Sequence, residues 1–208
     1  MAEGYNLKKQ LITREHDNAT IESIRATVDR MVEDIGFDDM TIRDICYEVG
    51  ITVGTFYHYF SSKHDLLLDR YLRTGEYFEA YYNDKLSNMN EIDALKDIIE
   101  EYVNYSSSRV YKIYKRYFQV MIDEFDRWVA VRQNSIADII EKIVSSGQEN
   151  GVITKVYSAY DICSVLLCFI NGLSIQYFTR DKDIMKNKNI IEMINGYIET
   201  LKIVRDIK

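Results

Sequence analysis

Residues 41 to 67 read TIRDICYEVGITVGTFYHYFSSKHDLL and concentrate hydrogen-bond donors: Thr41, Thr52, Thr55, Tyr57, His58, Tyr59 and Lys63. Hydroxyl, imidazole and ammonium groups in such a run suit contact with phosphate oxygens and base edges. Bond-making chemistry has less to work with. The 208 residues include only three histidines, two of them in this run at His58 and His64. There is no Ser–His–Asp order, no glycine-rich phosphate loop and no His/Glu pair at metal-ligand spacing. Asp123, Glu124 and Asp126 cluster, but on a helix flank such carboxylates read as a solvated face. We therefore expect no catalytic residue, no metal and no cofactor, and not an enzyme.

The elements that must position these donors are helices. Proline is absent, strand-like alternation is scarce, and apolar residues recur at helical spacing, so the fold class expected is all-α. A first helix over 18–35 carries Ile21, Ile24, Val28, Met31, Val32 and Ile35, and Gly36 ends it. Thr41 with Asp44 has the form of a capping box for a short helix to about Val49. Gly50 supplies a left-handed stop. Thr52 can cap a second short helix to Tyr59 or Phe60, and Ser62 with Asp65 opens a longer one over 62–83. Five more are expected at 91–107, 109–124, 127–146, 159–179 and 187–206, with Gly147 and Gly151 in the joint before the last two.

Read as a helix-turn-helix, the run divides by face. Ile42, Ile45, Val49, Ile51, Phe56 and Phe60 point inward, Cys46 sits at the helix crossing, and Gly50 makes the turn. Val53, Gly54, Thr55, Tyr57 and His58 remain outside. That face is small and neutral at its N-terminal end, as suits entry into a major groove. Lys63 lies in the first turn of the fourth helix, where the dipole favours an anion.

These residues closely resemble the DNA-binding domain of the TetR family of bacterial transcriptional regulators. The family pattern is roughly T-x-x-D-I-A-x-x-x-G-[VI]-S-x-G-T-[LF]-Y-x-Y-F-x-S-K-x-x-L. Here Cys46 replaces the usual Ala and Thr52 the usual Ser. Upstream, IRATVDRMVEDIGF resembles the family's first helix, with Val32 where an aromatic is common. The resemblance implies a nine-helix protomer with a three-helix DNA-binding head at 1–61, an effector-binding and dimerisation body at 62–208, and a homodimer on a palindromic operator of double-stranded DNA. It carries DNA contacts onto Thr41, Thr52, Val53, Gly54, Thr55, Tyr57, His58, Tyr59 and Lys63.

Composition opposes DNA binding mildly. The chain carries a net charge of −7. The first 65 residues hold seven Lys or Arg against twelve Asp or Glu. Affinity must come from local placement of donors.

In the body, Tyr111, Tyr114, Phe118, Met121, Phe125 and Trp128 recur at alternating spacings of 3 and 4 along one helix face. The stripe is either core or the wall of an apolar effector pocket, with Tyr102, Tyr105 and Phe169 as further candidates. A hydrophobic or aromatic small molecule is the expected effector. Ile162, Val165, Leu166, Phe169, Ile170 and Leu173 mark one broad apolar surface; Ile190, Ile194, Tyr197, Ile198, Leu201 and Val204 mark another. Two such helices from each protomer can build a homodimer, with Ser164, Gly172 and Ser174 permitting close approach. The N-terminus lacks a signal-peptide pattern, and the apolar stretch 162–175 falls short of a membrane span. With Cys46, Cys163 and Cys168 read as reduced thiols in helical patterns, the expected setting is cytoplasmic, with no membrane partner. The function expected is a ligand-responsive repressor; the alternative is a helical adaptor for a protein partner.

Overall fold

The computed structural model describes residues 18–108, 116, 119–120, 123, 136–179, 184 and 187–203. Among them are eight α-helices: α1 Asn18–Asp34, α2 Ile42–Val49, α3 Val53–Tyr59, α4 Asp65–Tyr81, α5 Glu91–Ser108, α6 Ile136–Glu149, α7 Ala159–Thr179 and α8 Lys188–Thr200. A π-helical turn, Tyr82–Leu86, follows α4. The all-helical reading holds. Tyr111, Tyr114, Phe118, Met121, Phe125 and Trp128 lie outside the described residues, so the aromatic stripe they form receives no placement.

The helix ends follow the local signals. Thr41 caps α2 in an extended conformation, accepting from the Asp44 N–H, while Asp44 accepts from the Thr41 N–H, which completes the capping box. Gly50 stops α2 at φ 75°, a conformation a side chain resists. Ser62 and Asp65 cap the start of α4 reciprocally, and Asp65 also accepts from the Ser61 N–H at 2.7 Å.

The chain divides into two compact units: residues 1–73 with 110–132, and residues 74–109 with 133–208. One boundary between them falls inside α4, between Arg73 and Thr74.

In the first unit, Ile24, Val28 and Val32 of α1, Ile45 and Cys46 of α2, Phe56 and Tyr59 of α3, and Phe60 just after it are all buried. Burying such side chains stabilises by roughly 1.5–3 kcal/mol each. Two ion pairs tie α1 to α4: Arg25 to Asp69, and Arg70 to Asp29.

In the second unit, α5, α6 and α7 pack around Leu95, Ile98, Ile140, Val144, Leu166 and Ile170, all essentially inaccessible. The last helix ends at Thr200 rather than near 206 as the periodicity suggests. The chain there turns to pair with the α6–α7 joint: Thr154 N donates to Leu201 O at 2.8 Å and Ile203 N to Val152 O at 2.9 Å. Gly147 makes that joint possible, because a Cβ there would lie 2.6 Å from Ile153 Cδ1. Within α7, Ala159–Tyr177 is long and apolar enough to cross a bilayer by length and composition, which the shorter stretch read from the sequence missed. Its Ile162, Cys163, Leu166, Ile170 and Leu173 are buried in the unit, whereas Asp161, Val165, Phe169, Asn171, Ile175 and Gln176 are exposed, so the helix buries one face only.

Candidate nucleic-acid interface

The seven-residue α3 is too short to be stable alone, so its conformation comes from its cap and its buried side. Thr52 Oγ1 accepts from Thr55 N at 3.0 Å and shares a hydrogen bond with Thr55 Oγ1 at 2.9 Å. Phe56, fully buried, and Phe60 anchor the inner face, their rings 5.6 Å apart. Cys46 lies beneath the cap, its thiol 3.7 Å from Thr52 O, and burial pushes that thiol above the usual range.

What α3 leaves outside is nearly what its sequence predicts. Val53 is 39% exposed, Tyr57 52%, and Gly54 and His58 are exposed. A Cβ added at Gly54 would meet only Thr52 Oγ1, at 3.6 Å, so the backbone there is open to close approach. Thr41 is exposed and Thr55 half-buried; Thr41, Thr52 and Thr55 all have their hydroxyls engaged in caps.

Two expected DNA contacts are placed differently. Tyr59 is only 5% exposed and belongs to the head's core, its ring centroid 5.1 Å from that of His58. Alternation on a short helix puts Tyr57 and Tyr59 on opposed sides, so only one can face a groove. The Lys63 ammonium turns back onto the chain and donates to Phe37 O at 3.0 Å, Asp38 O at 3.1 Å and Met40 O at 3.0 Å.

Residue types alone did not single out Arg43 and Tyr47. Both are exposed on α2, one turn apart, and Tyr47 is 86% accessible. The available signal was their position opposite Ile45 and Cys46 in the helical pattern. The head's acidity is also less free than a count suggests. Glu22 and Asp69 pair with Arg25, Asp29 with Arg70, Glu48 with Arg30 and Asp38 with Arg116. Asp44 and Asp65 accept from helix-cap groups, and the Thr41 hydroxyl and N–H hold the Asp44 carboxyl below its ordinary range.

The effector candidates that can be placed fall into two settings. Tyr105 is buried, shares a hydrogen bond with Thr74 Oγ1 at 3.2 Å, and packs on Tyr77 and Phe78. Tyr102 lies against Phe78; burial raises its phenol, an effect that the Ser174 and Ser106 hydroxyls partly offset. Phe169, 38% exposed, contacts Tyr197 edge-on and lines an open groove of about 400 Å³ with Cys168, Gly172, Gln176, Ile190 and Met193. That groove lies between α7 and α8, so Phe169 shares the face expected to dimerise and not the surroundings of Tyr102. Cys168 is exposed rather than a core thiol. Ser174 is buried and donates to Ile170 O, which removes it from any exposed contact surface. Among the described residues no group of three or more His, Cys, Asp or Glu is arranged to hold a metal.

A capped helix-turn-helix head followed by a helical body defines a helix-turn-helix transcriptional regulator. Residues 24–69 match the family described as bacterial regulatory proteins, tetR family. That match covers the helix-turn-helix head and the start of α4, the stretch that carries the TIRDICYEVGITVGTFYHYFSSK motif. The Transposon Tn10 TetC protein of Escherichia coli is 22% identical over 205 residues, covering 91% of this chain and 95% of that protein. Among solved structures, a TetR transcription regulator from Haloarcula marismortui superposes with TM-score 0.70 at 19% identity, over 89% of this chain and 100% of that one. The regulator FadR from Bacillus subtilis, in complex with stearoyl-CoA, superposes with TM-score 0.65 at 14% identity, over 88% and 97%. The fold is thus shared with these two solved structures over 89% and 88% of this chain.

Proposed function

We propose that this regulator is a repressor, acting in the cytoplasm as a homodimer on a palindromic DNA operator and released by a mainly hydrophobic small molecule. The observation that carries the DNA reading is the outer face of α3: Val53, Gly54, Tyr57 and His58 exposed on a helix whose other side is locked by Phe56 and Phe60. A small, uncharged N-terminal end can approach base edges, and Tyr57 and His58 offer donors to phosphate. Thr41, Thr52 and Thr55 lie at the helix starts, and Arg43 and Tyr47, exposed on α2, offer a further cation and phenol.

Dimerisation is supported by the apolar groups α7 and α8 leave outside, Val165, Phe169, Ile175 and Met193, the last 75% exposed. Each helix buries one face in its own unit and keeps another for a partner, as a two-fold interface requires. A hydrophobic effector is supported by the aromatic environment of Tyr102 and Tyr105 and by the acyl-CoA in the similar FadR structure. Ligand would shift the dimer toward a state whose two α3 helices no longer match grooves about 34–36 Å apart.

Selection of duplexes from a random library by the purified protein tests the reading. Enrichment of a palindrome with half-sites about one helical turn apart is expected. Failure to enrich any duplex, or a monomer in light scattering at micromolar concentration, would overturn it.

A further inference from the structure

We infer that Lys63 is a positioning residue that closes the helix-turn-helix on itself, rather than a grip on DNA phosphate. Its purpose rests on the DNA-reading proposal; its geometry does not. A lysine ammonium has three N–H donors. Those of Lys63 meet three backbone carbonyls, Phe37 O at 3.0 Å, Asp38 O at 3.1 Å and Met40 O at 3.0 Å. The cation also sits 4.9 Å from the centroid of the Phe37 ring. Every donor is thus satisfied within the chain, and a phosphate oxygen can reach the ammonium only by displacing a carbonyl.

The position of these carbonyls gives the contact its meaning. They belong to the turn between α1 and α2, after Gly36 at φ 89° and just before the Thr41 cap. Lys63 belongs to the segment between α3 and α4. One side chain therefore ties the entry to α2 to the exit from α3, bracketing the two helices. The bracket stands on buried groups: Phe37 is 3% exposed and stacks with His64 at 6.3 Å, and Met40 is fully buried. Since α3 has only seven residues, its orientation depends on what holds its two ends.

Two variants separate the roles. Lys63→Met keeps the aliphatic stem and removes the donors. Lys63→Arg keeps the charge but replaces three convergent N–H groups with a planar fork, which suits phosphate and not three carbonyls. In DNA-free protein, both variants are expected to retain helicity while amide exchange at residues 41–45 accelerates by about tenfold or more, as the neighbouring cap loosens. Unchanged protection would overturn the inference, because a phosphate grip has nothing to hold without DNA.

On a duplex selected by the wild-type protein, Lys63→Met should weaken binding with the dependence of log K on log salt unchanged. A slope shallower by about 0.9 per half-site would identify Lys63 as a phosphate contact and overturn the inference. Near-wild-type affinity of Lys63→Arg would do the same. Should the Met variant not fold, the Arg variant carries both measurements. If the wild-type protein selects no duplex, the DNA reading falls, while the exchange measurement still decides the role of Lys63.

Discussion

Arg25 of α1 grips Asp69 of α4 with two prongs, Nε to Oδ2 at 3.0 Å and a terminal nitrogen to Oδ1 at 2.5 Å, across 44 positions of sequence. Next along α4, Arg70 returns the exchange by donating to Asp29 of α1 at 2.5 Å. Burial alone would lower the Arg25 pKa, but Asp69 and then Glu22 outweigh it and hold the guanidinium charged. Asp69 is 4% exposed and also accepts from Arg73, so two guanidinium groups share its carboxylate. Asp69→Ala should cost about 3 kcal/mol, the lower end for breaking a buried pair, because Arg25 can partly rehydrate. The double variant with Arg25→Met should recover much of that loss. Urea denaturation of the four-member cycle measures both; strict additivity would show that the pair is not coupled.

Gly50 and Tyr57 separate folding from recognition. Gly50→Ala places a side chain at φ 75° with no steric neighbour, so its cost is conformational, about 1–2 kcal/mol in denaturant titration. Tyr57→Phe removes an exposed hydroxyl and should leave stability within about 0.5 kcal/mol while weakening binding to a selected duplex. Equal binding by Tyr57→Phe and wild type would remove Tyr57 from the DNA face.

Gly147→Ala tests the joint between α6 and α7. The new Cβ would sit 2.6 Å from Ile153 Cδ1, 2.8 Å from Ile153 Cγ1 and 3.2 Å from Glu91 Cβ, so Ile153 or the joint must move. Overpacking of this kind costs roughly 1–3 kcal/mol. Pairing with Ile153→Val, which removes the methyl in the way, should return part of it; no recovery in the thermal midpoint would place the strain elsewhere.

Glu91 predicts a pH dependence. Burial alone would raise its carboxyl, but hydrogen bonds from Asn150, its own backbone and Ser146 outweigh this and leave it below the ordinary value of 4.5. A carboxyl depressed in the folded state contributes stability that is present above the unfolded pKa and lost as pH falls through the folded one. The stability gap between wild type and Glu91→Gln should therefore be constant from pH 7 to about 5.5 and shrink below about pH 4.5. A gap that stays constant down to pH 3 would show that the ionised form gains nothing from these partners.

The sequence by itself determined the helices of the head and their ends. The Thr41–Asp44 box, the left-handed Gly50, the Thr52 cap and the Ser62–Asp65 cap each depend on groups within four positions, so spacing alone reveals them. It also carried the likeness to the tetR family over residues 24–69, because the motif is local. Tertiary structure decided what each side chain then does. Lys63 finds carbonyls 23 to 26 positions away, and Asp69 and Asp38 find guanidinium groups as distant in sequence as Arg25 and Arg116. Tyr59 turns inward, and α7 divides its apolar residues between a buried face and an exposed one. Charge neutralisation and burial depend on neighbours brought together by packing, and no local pattern records which distant groups will meet.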